Sequence, residues 1–227
     1  MIRDFVPEDF DRVFEIIEES FPRDEHGTYE EHKKLLSDPA YKIYILADDE
    51  SRAIKGFMSI WDLEKAAHID HFAMAPEFRN GGNGGKMLQD MLKHLDKMIT
   101  LEAEPPENEM AVRRIGFYKR NGFFLNEYPY LQPAISKGGN EVPLLIMTYG
   151  RNITKEEFEA LREVLYRIVY KRKPKEIADI IGRTEKPRLL RQRWTTAWGL
   201  RSITGGKAAT GFCAAPLLKR RRGRPFG

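Results

Sequence analysis

The sequence predicts a mixed α/β domain of about 150 residues, followed by helices and a basic tail. Three observations predict it. Short apolar strand patterns alternate with amphipathic helical ones over residues 1–150, in the order β-α-α-β-β-β-α-β-α-β-β. A stretch with four glycines in eight residues, Arg79-Asn80-Gly81-Gly82-Asn83-Gly84-Gly85-Lys86, separates the fourth strand from the next helix. Beyond residue 182 the apolar periodicity stops and the charge balance changes.

Residues 1–4 read as a short strand. Phe10, Val13, Phe14, Ile17 and Phe21 then fall at helical spacing, with Pro7 in the first turn, Glu8 and Asp9 suiting its dipole, and Pro22 closing the far end. A second short helix follows the turn Arg23–Gly27, with Thr28 and Glu31 spaced as a capping box. Tyr41–Ala47 and Ile54–Leu63 read as strands joined by a charged turn. In the next strand, Ala67–Ala75, strict alternation puts His68, Asp70, Phe72 and Met74 on one face and Ile69, His71 and Ala73 on the other.

Met87, Leu88, Met91, Leu92 and Leu95 form a helical stripe after the glycines. Met98–Glu104 is a strand stopped by Pro105-Pro106, and Glu109–Arg120 a helix ended by Asn121-Gly122. Phe123–Tyr128 and Val142–Tyr149 complete the strands, joined by the Pro/Gly-rich Pro129–Pro143. Residues 151–182 add a helix capped by Thr154 and Glu157, with Phe158, Leu161, Leu165, Ile168 and Val169 on one face, and a second piece, Pro174–Ile181. That face must bury, either against the α/β domain, the preferred reading, or in a homodimer contact.

Residues 183–227 hold twelve Lys/Arg against one acid, Glu185, a charge of +11, so that with +4 overall the first 182 residues carry −7. Disorder is expected for the tail. Arg222-Gly223-Arg224-Pro225 resembles the core of an AT-hook, whose arginines enter the minor groove of A·T-rich DNA. Nucleic-acid binding through the tail is the minor reading and a solvated or non-native extension the preferred one. A single cysteine, Cys213, excludes an internal disulfide framework and a Cys-based zinc site, and no metal is expected. No apolar run approaches membrane-span length, and Met1–Phe5 lacks the apolar core of a secretory signal, so a cytoplasmic protein is expected.

Glycines between a strand and a helix let backbone N–H groups converge at the positive end of the helix dipole, which suits an anion; the same composition also suits a plain turn. The nucleotide fingerprints fail. A P-loop needs G-x-x-x-x-G-K-S/T, but Met87 follows Lys86 and Asn80 stands where the first glycine belongs; G-x-G-x-x-G fails because Met87 replaces the third glycine.

Arg79, Gly82 and Gly84 satisfy R-x-x-G-x-G. Placed between strand 67–75 and a helix, the stretch resembles the acyl-CoA-binding motif of the GNAT superfamily of N-acetyltransferases. The element order agrees, and Phe117-Tyr118-Lys119-Arg120-Asn121-Gly122-Phe123 resembles that family's FY-x-x-x-GF segment. The resemblance covers residues 1–150. It implies a mixed sheet whose fourth and fifth strands splay apart, acetyl-CoA as co-substrate, and direct attack of an amine on the thioester. Its pyrophosphate would lie on residues 80–86, its pantetheine arm along Phe72, Ala73 and Met74. A backbone N–H near Met74 would stabilise the oxyanion.

The resemblance implies Tyr118 as the acid for the departing thiolate, the alternative being an aromatic that only packs. Glu102 is the leading candidate base, with His71, Asp70 or a relayed water as rivals. Pro105-Pro106-Glu107-Asn108-Glu109 lengthens the family's connection between Glu102 and Tyr118, and Asn83 stands where a hydrophobic or small residue is common. Acidic Asp24 and Glu25 favour a cationic amine, small molecule or peptide, with Tyr128 and Tyr130 packing on its carbon chain. A non-catalytic acyl-CoA sensor and a DNA-associated protein acting through the tail remain the alternative functions.

Overall fold

The computed structural model describes residues 1–21, 26–135 and 139–184. The elements are β1 (Ile2–Asp4), a 3-10 turn (Pro7–Asp9) leading into α1 (Phe10–Ser20), α2 (Tyr29–Leu35), β2 (Tyr41–Ala47), β3 (Ile54–Asp62) and β4 (Ala66–Met74). They continue with α3 (Asn83–His94), β5 (Met98–Ala103), α4 (Glu109–Arg120), β6 (Phe123–Gln132), β7 (Val142–Tyr149), α5 (Lys155–Val164), a π-helical turn (Leu165–Val169) and α6 (Pro174–Thr184). The capping boxes at Thr28 and Thr154 both form, each threonine accepting from the backbone N–H three residues on.

Seven strands make one mixed sheet in the order β1-β2-β3-β4-β5-β7-β6. All neighbours are antiparallel except β4 and β5. That parallel pair holds only from Ala66↔Met98 to Ile69↔Leu101. β4 runs on to Met74 and β5 to Ala103 without pairing to each other, so the two strands part at the middle of the sheet, as expected of the splay.

Val13, Phe14, Ile16 and Ile17 of α1 bury against one face, in a cluster that includes Phe57, Trp61, Ala73 and Ile146. Phe158, Leu161, Leu165, Tyr166, Ile177 and Ile180, from the helices after β7, bury in that same cluster. Met87, Leu88 and Met91 of α3 and Ile115 and Tyr118 of α4 cover the other face, with Met58, Ile69, Leu101 and Met147.

Two expectations about strands are corrected. The alternation along β4 breaks at Asp70: Ser59 of β3 faces His71 while Ile60 faces Ile69, so Asp70 is an extra residue, a β-bulge. Ala67 and Ile69 therefore share a face with Phe72 and Met74, and not with His71 and Ala73. Strand β6 runs through Pro129, where a turn was expected to begin. The ladder with β7 is irregular between Asn126 and Tyr130, and a proline, which cannot donate, is tolerated at such a break.

Tail residues 185–227, including the AT-hook-like Arg222–Pro225, lie outside the described residues. Among the described residues no helix is long and apolar enough to cross a membrane.

Candidate active site

The parting of β4 and β5 opens a cavity of about 480 Å³, lined from both faces of the sheet, Leu144 belonging to one core cluster and Tyr118 to the other. The glycine stretch forms one end of it. After a 3-10 turn (Pro76–Phe78), Asn80 and Gly82 both take left-handed backbone conformations, at φ 63° and 76°. Gly82 is the N-cap of α3, and a Cβ there would meet nothing within 4 Å, so the backbone is open to a ligand. Gly84 lies against β4. A Cβ would lie 3.5 Å from Met74 and 3.7 Å from Phe72, ordinary contact distances, so α3 packs on β4 at this point with room for a methyl group. Arg79 ties the loop down, Nε donating to the Met74 carbonyl at 3.0 Å and Nη2 to Ser20 Oγ at 2.9 Å.

Arg79, Asn80, Gly82, Gly84 and Gly85 line the cavity, as do Phe72, Ala73 and Met74 of β4. Gly81, Asn83 and Lys86 stand outside the lining. Asn83 turns instead to the Phe78 carbonyl, at 3.3 Å.

Tyr118 reaches the cavity from α4. Burial pushes its phenol up to about 12, against a smaller lowering by Arg114. The lengthened connection before α4 has a structural role: Asn108 is the N-cap, its side chain accepting from Ala111 N–H at 2.8 Å.

Glu102 enters from the other face. Burial pushes its carboxyl up to about 7, although the hydroxyls of Tyr130 and Tyr170 both donate to it and pull the other way. Tyr170 lies 2.5 Å from Oε2, and Gln132 Nε2 donates to the Tyr170 hydroxyl at 3.0 Å. Asp70 Oδ2 lies 2.9 Å from His71 Nδ1. Burial acts to raise the Asp70 carboxyl, but the charge and hydrogen bond of His71 leave it below the ordinary range.

A second cavity, of about 660 Å³, lies under α2 and the end of the π-helical turn. Asp70, His71, Glu102 and Gln132 line both cavities, so the two meet at these four side chains. Its outer wall includes Glu31, His32, Asp38, Trp61 and Arg172. His32 is 4% exposed, its Nε2 has no hydrogen-bond partner among the described residues, and burial pushes its imidazole down to about 4.

The family model for the acetyltransferase (GNAT) family matches residues 10–123. A structure from Bacteroides thetaiotaomicron assigned to the GNAT family is 33% identical, with a TM-score of 0.71, over 76% of this chain and 99% of that one. The chain belongs to the GNAT acetyltransferase family. It is an acyltransferase, and this family uses acetyl-CoA. A chimera built on the Vibrio cholerae spermidine N-acetyltransferase SpeG matches at 15% identity and TM-score 0.52, over 66% of this chain and 95% of that one. A point mutant of that enzyme matches at 14% and 0.51, over 66% and 94%. At such identities both speak for the fold alone. A search of curated proteins gave no match.

Within this GNAT chain the sequence-derived candidates divide. Tyr118, Glu102, His71 and Asp70 are brought together around one cavity. Tyr128 and Tyr130 line neither of the two cavities. Tyr128 stacks on Phe158, with centroids 4.9 Å apart, and donates to the Ile153 carbonyl at 3.1 Å. Tyr130 is 0% exposed and serves the site only through its hydroxyl on Glu102. Strand β6 continues past both residues, which commits their rings to the packing of α5. Asp24 and Glu25 lie outside the described residues. Sequence reading missed Gln132, His32 and Tyr170. Gln132 follows the two tyrosines that were chosen, and His32 sits beside the capping box. Tyr170 falls one position after the apolar stripe and carries no local signal.

Proposed function

We propose that this GNAT enzyme transfers the acetyl group of acetyl-CoA to a primary amine by direct attack, with Glu102 as base and Tyr118 as proton donor. The observation that carries this is the meeting of two cavities at Glu102. The first, with Gly82 at one end and Phe72–Met74 along its wall, fits an elongated acyl-CoA arm with its phosphates on the α3 N-terminus. The second opens toward α2 and suits the acceptor.

An alkylammonium has no lone pair at neutral pH, so a proton must leave before attack. A carboxyl at about 7 is suited to take it, being about half ionised at neutral pH and more basic than an ordinary carboxylate. As nitrogen joins the acetyl carbon and the C–S bond breaks, a second nitrogen proton is lost and the thiolate gains one. Tyr118 stays protonated because burial holds it near 12, while a free thiol ionises near ~8.5. Leaving a phenolate behind is uphill, so Tyr118 donates a hydrogen bond to sulfur as its charge grows, and the proton it passes to the thiolate is replaced by the second one lost from nitrogen. The balance is one ammonium and one thioester giving one amide, one thiol and one proton.

The acceptor is a cationic amine, small molecule or peptide. Glu31, Asp38, Asp70 and Glu102 in the second cavity support that reading, and Lys171 and Arg172 at its rim narrow the approach. The Asp70–His71 pair at the same junction supports a second reading, in which His71 is the base. Acetyl-CoA is to be incubated with a polyamine, an amino sugar, an amino acid and a short peptide while free thiol is followed. Thiol release with one of these is expected. Tight acetyl-CoA binding with no turnover would replace the reading by that of a sensor.

A further inference from the structure

The family model ends at residue 123, yet the carboxylate where the cavities meet is bonded from much further along the chain. Tyr170, 68 residues from Glu102 and just past the π-helical turn, donates to its Oε2. Because an amide NH₂ group only donates, the bond from Gln132 makes the Tyr170 oxygen an acceptor there and turns the phenol's own proton toward Glu102. Tyr130 donates to the opposite oxygen, Oε1. With a hydroxyl on each oxygen, and Gln132 Nε2 a further 3.5 Å from Oε2, the carboxylate cannot rotate without losing these partners, and Oε1 keeps a lone pair.

The chain around Tyr170 is pinned on all sides. Its N–H bonds to the Leu165 carbonyl at 3.1 Å, and Arg172 N–H to the Tyr166 carbonyl at 2.8 Å. Lys171 adopts φ 52°, which is uncommon for a residue with a side chain. Its Nζ sits 2.7 Å from Asp38 and 5.1 Å from the centroid of the Trp61 ring. Arg172 donates to the Ala134 carbonyl. These tethers reach α2's trailing turn, β3 and the end of β6, the walls of the second cavity.

We propose that Tyr170 is a positioning residue for the transfer, so that the segment after β7 is part of the active centre. The inference rests on Glu102 being the base. Other titratable groups facing Glu102 are Asp70 and His71 on β4, Tyr130 on β6, and Tyr166 in the π-helical turn. Substituting Tyr170 by Phe leaves all of them in place.

The test uses the full chain. For Tyr170→Phe, kcat with the fastest amine of the panel is expected to fall about tenfold, the size of one hydrogen bond to a charged group, with acetyl-CoA affinity unchanged. The ascending limb of kcat/KM against pH is expected to move to higher pH, since the lost bond favoured the charged carboxylate. A carboxyl-¹³C NMR titration of Glu102, assigned with Glu102→Gln, should show the same direction without any substrate. Gln132→Met, which removes the donor that turns the phenol together with its longer contact of 3.5 Å to Glu102 Oε2, should move it in the same direction but less, and serves if Tyr170→Phe does not fold. An unmoved limb and kcat in a folded variant overturn the proposal. If Glu102→Gln itself leaves the limb in place, the base assignment has failed; if it abolishes the limb and Tyr170→Phe does not move it, only the role of Tyr170 has.

Discussion

Asp70 and His71 are consecutive in β4, yet Asp70 Oδ2 lies 2.9 Å from His71 Nδ1 at the junction of the two cavities. In a regular strand their side chains would point to opposite faces. The bulge at Asp70 removes that constraint, and the His71 N–H bonds sideways to Ser59 Oγ at 3.0 Å. Two candidate bases, this pair and Glu102, therefore face one space.

They are separable by kinetics. Glu102→Gln is expected to lower kcat/KM by about 100-fold or more, the usual worth of a general base, and His71→Ala by less. Because Glu102 must be ionised to act, kcat/KM of the parent enzyme should rise with pH through about 7 and level off above it. A larger loss in His71→Ala would hand the role to the Asp70–His71 pair.

Tyr118→Phe removes the donor but keeps the ring that packs on Phe117 and Phe123. We expect kcat to fall by about tenfold or more, with the dissociation constant for acetyl-CoA unchanged. An unaltered kcat, measured where chemistry limits the rate, would leave Tyr118 as a packing residue only.

Gly82→Ala forces an L side chain into φ 76° at the end of the cradle. The strain of about 1 kcal/mol falls on the loop and not on the reacting groups. KM for acetyl-CoA should rise several-fold while kcat stays near the parent value. Equal acetyl-CoA affinity in the two proteins would argue against phosphate binding here.

Asn126 holds the irregular centre of β6. Its Nδ2 donates to the Ile146 carbonyl and Thr148 Oγ1, and its Oδ1 accepts from the Ile153 N–H at 2.9 Å. Asn126→Ala strands that buried N–H, so chemical denaturation should show a loss of about 2 kcal/mol. A loss under about 0.5 kcal/mol would mean that the chain around Ile153 finds another partner.

His68, 1% exposed and bonded to Thr100 Oγ1 at 2.9 Å, is pushed down from 6.5 to about 4 by burial. Below pH 6.5 the unfolded chain takes up a proton that the folded one refuses. Stability is then fully present above pH 6.5 and declines toward pH 4, by roughly 3 kcal/mol for this one group. Urea unfolding across that range should show the decline, and His68→Gln should lessen it without abolishing it, because His32 is depressed in the same way. An identical slope in the variant would place the acid sensitivity elsewhere.

The sequence by itself determined the α/β class, the glycine stretch between β4 and α3, and the family, because each is written in local terms. Period, capping residues and fixed motif spacing need only a few neighbouring residues to be read. The identity of Glu102 and Tyr118 as site candidates came with the motif. The pairing of Asp70 with His71 was not legible, because a bulge depends on how β3 registers against β4. Tyr128 and Tyr130 looked like a substrate wall until α5 was seen to cover them. The link from Tyr170 to Glu102 spans 68 residues and lies beyond the last periodic position. No local pattern encodes such a contact. Only the folding of the segment after β7 back onto the splayed strands brings that phenol to the carboxylate, and so decides the surroundings in which Glu102 holds its proton.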